Sequence, residues 1–410
     1  MMFRRTTCRA CNSPDLVSVL NLGAQPPANA FLRLEDFAHE RAFPLEVFFC
    51  RSCTLLQLCD IVSPELLFRD YVYVSSTSPI FQGHFHRYAD WLMERYVRNG
   101  DLVVDIGSND GILLKPLKER GAKVLGVDPA TGIAQRATGG GIPTLPHFFT
   151  QVVAGAIKRR LGEARVITAN NMFAHTDATV DVLAGIHELL APDGVFVVEV
   201  AYLGDFLSAG FFDTVYHEHV AYYSVRSLEE LVSRAGFHVI DVEHVPTHGG
   251  SIRATMSTQR KRQLSVDYFL KNEEAAGLYR EATYHAFAER VAQQKRRLVG
   301  ELTSLKKRGM RIAGYGAPAK GNTLLNYAGI NSTMLAYVVD DSPYKQGLYT
   351  PGSHIPVVPF EHLLRHRPDY LLLLAWNFAD AIMEKCRAAL GDGMQYIVPI
   401  NEHSFHRTTV

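Results

Sequence analysis

Tyr216-His217-Glu218-His219, with Tyr222 and Tyr223 just beyond, sets imidazoles, a carboxyl and phenols in one short segment. Histidine takes a proton near neutrality, a neighbouring carboxylate can orient it, and tyrosine hydroxyls can donate to a developing oxyanion. The segment therefore suits a general base with its supporting groups. A metal site is the rival reading, but His217 and His219 stand two apart and lack the His-Glu-x-x-His helix spacing.

A second piece of chemistry lies at Cys8/Cys11 and Cys50/Cys53, two Cys-x-x-Cys pairs. Each pair can present two sulfurs from a tight loop, and two loops complete a tetrahedral site. In a reducing compartment such pairs hold zinc more often than they form disulfides. Four thiolate ligands leave no open position, so the zinc is expected to be structural. The gap of 38 residues between the pairs is long, which requires an insertion between the two knuckles. A redox Cys-x-x-Cys is the plainer alternative, and two pairs flanking one small segment speak against it. Cys59 and Cys386 are left over.

The third is Asp105-Ile-Gly107-Ser-Asn109-Asp110-Gly111, which follows an apolar run and opens a helical one. Glycines let the backbone approach a ligand, and a helix N-terminus offers N–H groups. Asp128 ends the next apolar run, where a carboxylate can accept both ribose hydroxyls. A pyrophosphate would want Gly-x-Gly-x-x-Gly, yet Asn109 holds the middle position and Asp110 would repel phosphate. S-adenosylmethionine, a sulfonium cation without phosphate, suits this acidic loop better. Phe148 is a candidate cover for the adenine face. Asn170, Asn171 and His175 follow a later strand, where such sheets place groups between cofactor and acceptor.

The elements that must position these groups read as α/β. Strands are expected at 102–106, 123–127, 165–169 and 194–200, with helices between them, and two alternating strands follow at 237–242 and 251–256. Crossover units finished by a hairpin describe a seven-stranded doubly wound sheet of the methyltransferase type. Residues 1–79 read as the zinc module with a substrate-lining segment, and 80–262 as the cofactor domain. Residues 263–308 read as a helical connector interrupted at Gly277, with Phe287, Val291, Leu298, Leu302 and Leu305 near one face. A second, Rossmann-like unit occupies 309–410. Its Gly314-x-Gly316-x-x-x-x-Gly321 loop is two residues longer than the dinucleotide spacing, although Asp340 stands where an NAD ribose acid would.

Composition excludes several classes. Of 410 residues, 47% are hydrophobic, and Lys+Arg and Asp+Glu both total 42, so no net field favours nucleic acid or an anionic membrane. The longest apolar run, Tyr370 to Trp376, is far too short to span a bilayer. The start, Met-Met-Phe-Arg-Arg, has no apolar signal-peptide core, and a cytoplasmic location is the default expectation.

Several segments together resemble a known family, the S-adenosylmethionine-dependent C-methyltransferases of nucleotide-linked keto-deoxy sugars. These are the four-cysteine module, Tyr71-Val-Tyr73-Val-Ser-Ser, Asp105–Gly111, Asn171 with His175, Tyr216-His-Glu-His219, His248-Gly-Gly-Ser-Ile-Arg253 and Gly314-Tyr-Gly-Ala-Pro-Ala-Lys-Gly-Asn322. The chain is similar in particular to sugar 3-C-methyltransferases of the tetronitrose type. The resemblance implies His219 as the base, with Tyr216, Glu218, His175 and either Tyr71 or Tyr73 around the sugar. It also implies His248, Ser251 and Arg253 along the same cleft, and Lys320 and Asn322 at the nucleotide diphosphate. The acceptor would be a dTDP-linked 4-keto-6-deoxy sugar, methylated at C3 through an enolate. An NAD-dependent oxidoreductase or epimerase built on 311–341 is the alternative. A non-catalytic zinc scaffold is the third reading, and the segment at 216–219 argues against it. The oligomeric state is left open.

Overall fold

A computed structural model describes residues 2–68, 79–247, 249–400 and 407–409. Tyr71, Tyr73 and His248 lie outside the described residues.

The N-terminal strands are β1 (Met2–Arg4), β2 (Leu16–Gln25), β3 (Phe43–Cys50), β4 (Leu56–Leu58) and β5 (Asp60–Val62). The long gap between the cysteine pairs is explained by the antiparallel β2–β3 hairpin. Its register sets Leu16 opposite Cys50, returning the second knuckle to the first.

The central strands are β6 (Leu102–Ile106), β7 (Lys123–Val127), β8 (Thr144–Leu145), β9 (Ala164–Asn170) and β10 (Leu190–Ala201). They are followed by β11 (Ala221–Tyr222), β12 (His238–Val245) and β13 (Ser251–Ser257). Seven of them form one sheet in the order β12-β13-β10-β9-β6-β7-β8, in which β13 alone runs antiparallel to its neighbours. This is the methyltransferase sheet expected from the alternation of strand and helix. Residues along β10 divide between two cores: Phe196, Val198 and Val200 face one, Val195 and Val197 the other. A strand buried on both faces reads as a continuous apolar run, which is why it was legible.

β11 belongs elsewhere. It pairs with β4, making a four-stranded sheet β11-β4-β3-β2. The segment after the chemical cluster is thus an edge of the cysteine module's own sheet. The knuckles are not a separate bead either: Cys8, Cys50, Cys53 and Leu55 share a core with Tyr223, Val225 and Phe173.

Two helices, Leu264–Ala275 and Glu281–Lys307, form the connector. Gly277 separates them with φ +75, the left-handed conformation that ends helices and that glycine adopts without strain. Phe287, Val291, Leu298, Leu302 and Leu305 are all buried, packed in one core with β2, β3 and the C-terminal sheet. The helix face therefore meets the protein's own core.

The last strands are β14 (Ile312–Tyr315), β15 (Val338–Val339), β16 (Val357–Val358), β17 (Tyr370–Leu373), β18 (Gln395–Ile397) and β19 (Arg407–Thr409). Their order, β16-β15-β14-β17-β18-β19, is that of a Rossmann sheet, with β19 antiparallel at the edge. Among the described residues no helix is long and apolar enough to cross a membrane.

Candidate functional site

Four sulfurs, from Cys8, Cys11, Cys50 and Cys53, lie within 4.8 Å of one another, with Cys8–Cys53 and Cys11–Cys50 at 3.5 Å. Tetrahedral zinc thiolate sites separate sulfurs by about 3.8 Å. The two knuckles are built alike. Asn12 and Thr54, one residue past each second cysteine, both adopt positive φ and donate N–H back to the carbonyls of Cys8 and Cys50. Gln57 donates to Cys8 Sγ at 3.1 Å, as an outer partner of a thiolate does. The donor set fits zinc.

The module reaches the chemistry through Arg5 and Arg9, which flank Cys8. Arg5 Nη1 donates to both oxygens of Asp177 at 3.0 and 2.9 Å, and the fully buried Arg9 pairs with it at 3.3 Å. Asp177 lies two residues beyond His175. Sequence reasoning missed all three, since nothing in their spacing marks them.

The loop 107–111 lies at the carboxyl end of β6. Gly107 has φ +73, and a Cβ there would lie 2.7 Å from the Met172 side chain. Asn109 and Asn171 also take positive φ, which asparagine tolerates better than most residues. Asp128 accepts from the backbone N–H groups of Asn109 (2.8 Å) and Ala130 (2.9 Å), leaving each oxygen a second lone pair. Burial raises its pKa, with those two bonds opposing. Asp105 accepts from Thr168 Oγ1 (2.6 Å) and Asn170 Nδ2 (3.2 Å), and burial pushes it up to about 7. Among the described residues Asn170 Oδ1 is buried with no hydrogen-bond partner. Phe148 is 37% exposed while its neighbour Phe149 is in the core, so the two rings are divided between surface and packing. Carboxylates and amide oxygens gathered here fit a cationic, phosphate-free cofactor: Asp105, Asp110, Asp128 and Asn170 would hold S-adenosylmethionine. Asp128→Ala should weaken its binding by roughly 10- to 100-fold, the loss of a charged hydrogen-bond acceptor, as calorimetric titration would show.

The 216–219 segment is brought beside His175. The His219 ring lies 4.0 Å from that of Tyr216 and 5.0 Å from that of His175, and Val220 N–H donates to the carbonyl of Ala174. His219 Nδ1 is 2.7 Å from the Thr214 carbonyl oxygen. A carbonyl only accepts, so Nδ1 carries the proton and the lone pair sits on Nε2.

Several expectations are corrected here. The group orienting His219 is the Thr214 carbonyl, whereas Glu218 points into the N-terminal module, where Asn29 Nδ2 grips its oxygens at 2.8 and 3.0 Å. Tyr216 and His219 are half-buried, but His217 and Glu218 are fully closed off, with His217 Nε2 near the carbonyls of Phe43 and Pro44. His219 N–H donates to Tyr216 O at 2.9 Å, so the segment is a tight turn that brings its first and last residues together and sends the middle two into the scaffold. Ser251 and Arg253 are buried and make their contacts within the protein. β13 lies inside the sheet, Ser251 Oγ closes its own turn onto Thr247 O, and Arg253 stacks 3.7 Å from the Tyr88 ring while its Nε meets Glu199 at 2.8 Å. Glu199 also holds His84 at 2.8 Å. Burial works against the Glu199 charge, but His84 and Arg253 overcome it and hold its pKa below the ordinary range. Asn322 has no exposed surface, and its amide donates to Ala28 O, tying the C-terminal unit to the N-terminal module. Asp340, the acid on which the NAD alternative rested, accepts from Ala317 and Ser342 N–H at 2.7 and 2.9 Å, much as Asp128 does in its own loop, and Lys345 stands 3.5 Å away.

Burial pushes the Glu218 carboxyl up to about 7, with the Asn29 bond opposing. The folded state then prefers the protonated acid. That stability is present below about pH 4.5 and is lost as pH rises through 7, about 3 kcal/mol in all. Glu218→Gln, which still accepts from Asn29, should melt higher than the parent chain at pH 8 and lose the advantage near pH 5.

The sheet, its cofactor-fitting loop and the cysteine site define an S-adenosylmethionine-dependent methyltransferase with a zinc-binding front module. The comparisons refine this. A zinc binding domain model matches residues 8–68, a methyltransferase domain model 81–242, and a C-methyltransferase C-terminal domain model 246–401. C-methyltransferase NovU of Streptomyces niveus is 39% identical over 403 residues, 96% of this chain and 95% of that protein. The chain belongs to the C-methyltransferase family. Solved structures similar to the central part include magnesium protoporphyrin IX methyltransferase from Synechocystis, 18% identical, covering 43% of this chain and 79% of that one at TM-score 0.33. The CcbJ methyltransferase of Streptomyces caelestis is 13% identical, covering 46% of this chain and 100% of that one at TM-score 0.34. Those scores are too low for any residue to be carried across.

Proposed function

We propose that this enzyme methylates C3 of a dTDP-linked 4-keto-6-deoxy sugar, with His219 as the base that generates an enolate. The observation that carries the proposal is the His219 tautomer: with Nδ1 committed to Thr214 O, Nε2 is the nitrogen able to accept a proton. A C–H next to a ketone becomes acidic only where the enolate oxygen meets donors. Tyr216 and His175, whose rings flank His219, are the groups offered for that. Bound S-adenosylmethionine supplies the electrophilic methyl group. The chain's further part is to hold the acceptor carbon in line, excluding other orientations.

The sugar class, nucleotide and C3 position come from the motif resemblance. Of the two C-terminal residues proposed for the diphosphate, Asn322 is structural, so docking there rests on Lys320. Its ammonium is half-buried 3.8 Å from the Trp376 ring, and burial lowers its pKa to about 8 while Asp213 opposes the fall. The test is incubation with S-adenosylmethionine and a panel of nucleotide-linked 4-keto-6-deoxy sugars, followed by mass spectrometry. A sugar heavier by one methylene, matched by S-adenosylhomocysteine, supports the proposal; cofactor binding with no sugar gaining mass overturns the acceptor assignment.

A further inference from the structure

A Rossmann-ordered sheet takes its ligand at the point where the strand order reverses, here between the carboxyl ends of β14 and β17. In this protein that point faces the methyltransferase's own loop. Trp376, three residues past β17, stacks on Phe211 with ring centroids 4.5 Å apart, while Lys320, on the helix after β14, covers it at 3.8 Å. The indole is thus already occupied by this protein's own side chains. Its Nε1 donates to Asp213 Oδ2 at 2.6 Å.

Asp213 has no exposed surface, its other oxygen has no hydrogen-bond partner among the described residues, and the nearby Lys320 ammonium favours its charge. It sits in the single helical turn Phe212–Thr214, whose last residue provides the carbonyl that fixes His219. A buried carboxyl deprived of a donor costs more than the bond itself is worth, so it would turn toward another partner, the nearby Lys320 ammonium or water. Moving it turns the 212–214 peptides and with them the Thr214 carbonyl.

We propose that Trp376 is a positioning residue for His219, acting through Asp213 and the Thr214 carbonyl, so that the C-terminal domain clamps the base loop. The catalytic meaning rests on His219 being the base, but the clamp itself can be read without any sugar. The measurement is nitrogen NMR of the His219 ring in the full chain, with wild type, Trp376→Phe and Asp213→Asn compared. Trp376→Phe keeps the stacking and loses the donor. It should turn a single Nδ1–H tautomer into a mixture and lower kcat by roughly 10- to 100-fold with cofactor affinity unchanged. Asp213→Asn still offers the indole an oxygen and should keep the tautomer. Trp376→His, which restores a ring N–H, should recover part of the lost rate. An unchanged tautomer in Trp376→Phe overturns the clamp, whatever the sugar assay gives. A lost tautomer with a kcat within about twofold of wild type leaves the clamp standing and overturns His219 as base.

Discussion

Replacing His219 with Asn should lower kcat by about 10²- to 10⁴-fold, the usual worth of a positioned general base. Cofactor affinity should stay within about twofold, because the carboxylate and amide groups at Asp105, Asp128 and Asn170 lie on other strand ends. Thermal stability should barely move, since the ring is half-buried and its backbone contacts, His219 N–H to Tyr216 O and Val220 N–H to Ala174 O, survive the substitution. The variant is checked by steady-state release of S-adenosylhomocysteine together with calorimetric cofactor titration. Weak binding with proportionate loss of rate would point to a loop that had collapsed. A rate within tenfold of wild type would mean that another group takes the proton.

The second large effect is loss of zinc. Cys53→Ala should lower stability by on the order of 3–5 kcal/mol and abolish stoichiometric zinc in the purified protein. Activity should fall with it, even though the metal has no open position and takes no part in the chemistry. The reason is connectivity. β4 runs three residues after Cys53 and pairs with β11, two residues after His219, while Leu58 N–H donates to Val220 O. From the other knuckle, Arg5 and Arg9 hold Asp177 beside His175. Releasing the metal thus loosens both walls of the site. Metal analysis, a thermal melt and a rate assay on one preparation check this. Full activity in a zinc-free chain would show the module to be separable from the cleft, contrary to its shared core and sheet.

These effects also mark how far the residues alone could be read. The central strands were legible because parallel strands buried on both faces are continuous apolar runs, and Gly277 announced the break in the connector. The cysteine site was legible from ligand type and spacing, and an insertion between the knuckles followed as a necessity, although its being a hairpin did not. Local chemistry was therefore visible wherever its residues were adjacent in sequence. What was hidden depends on contacts between distant segments. Asn29 meets Glu218 across 189 residues, and Trp376 meets Asp213 across 163. A single asparagine after two prolines, or a tryptophan after an apolar strand, carries no periodic signal. The same blindness hid the burial of Ser251, Arg253 and Asn322. Their motif neighbours were distinctive, but burial inside a sheet or behind a helix is decided by tertiary packing. Glu218 shows the mixture: its place beside the base was legible, while the direction of its side chain was set by a loop nearly two hundred residues upstream.

Proton exchange at the acceptor carbon tests the central claim most directly. The protein would be incubated in deuterated water with S-adenosylhomocysteine and a dTDP-linked 4-keto-6-deoxy sugar, and loss of the C3 hydrogen followed by NMR. Wild type is expected to exchange C3 without methyl transfer, and His219→Asn to exchange it at least about a hundredfold more slowly. Equal exchange in both proteins, or exchange at a carbon other than C3, would contradict the assignment of His219 as the base that makes the C3 enolate.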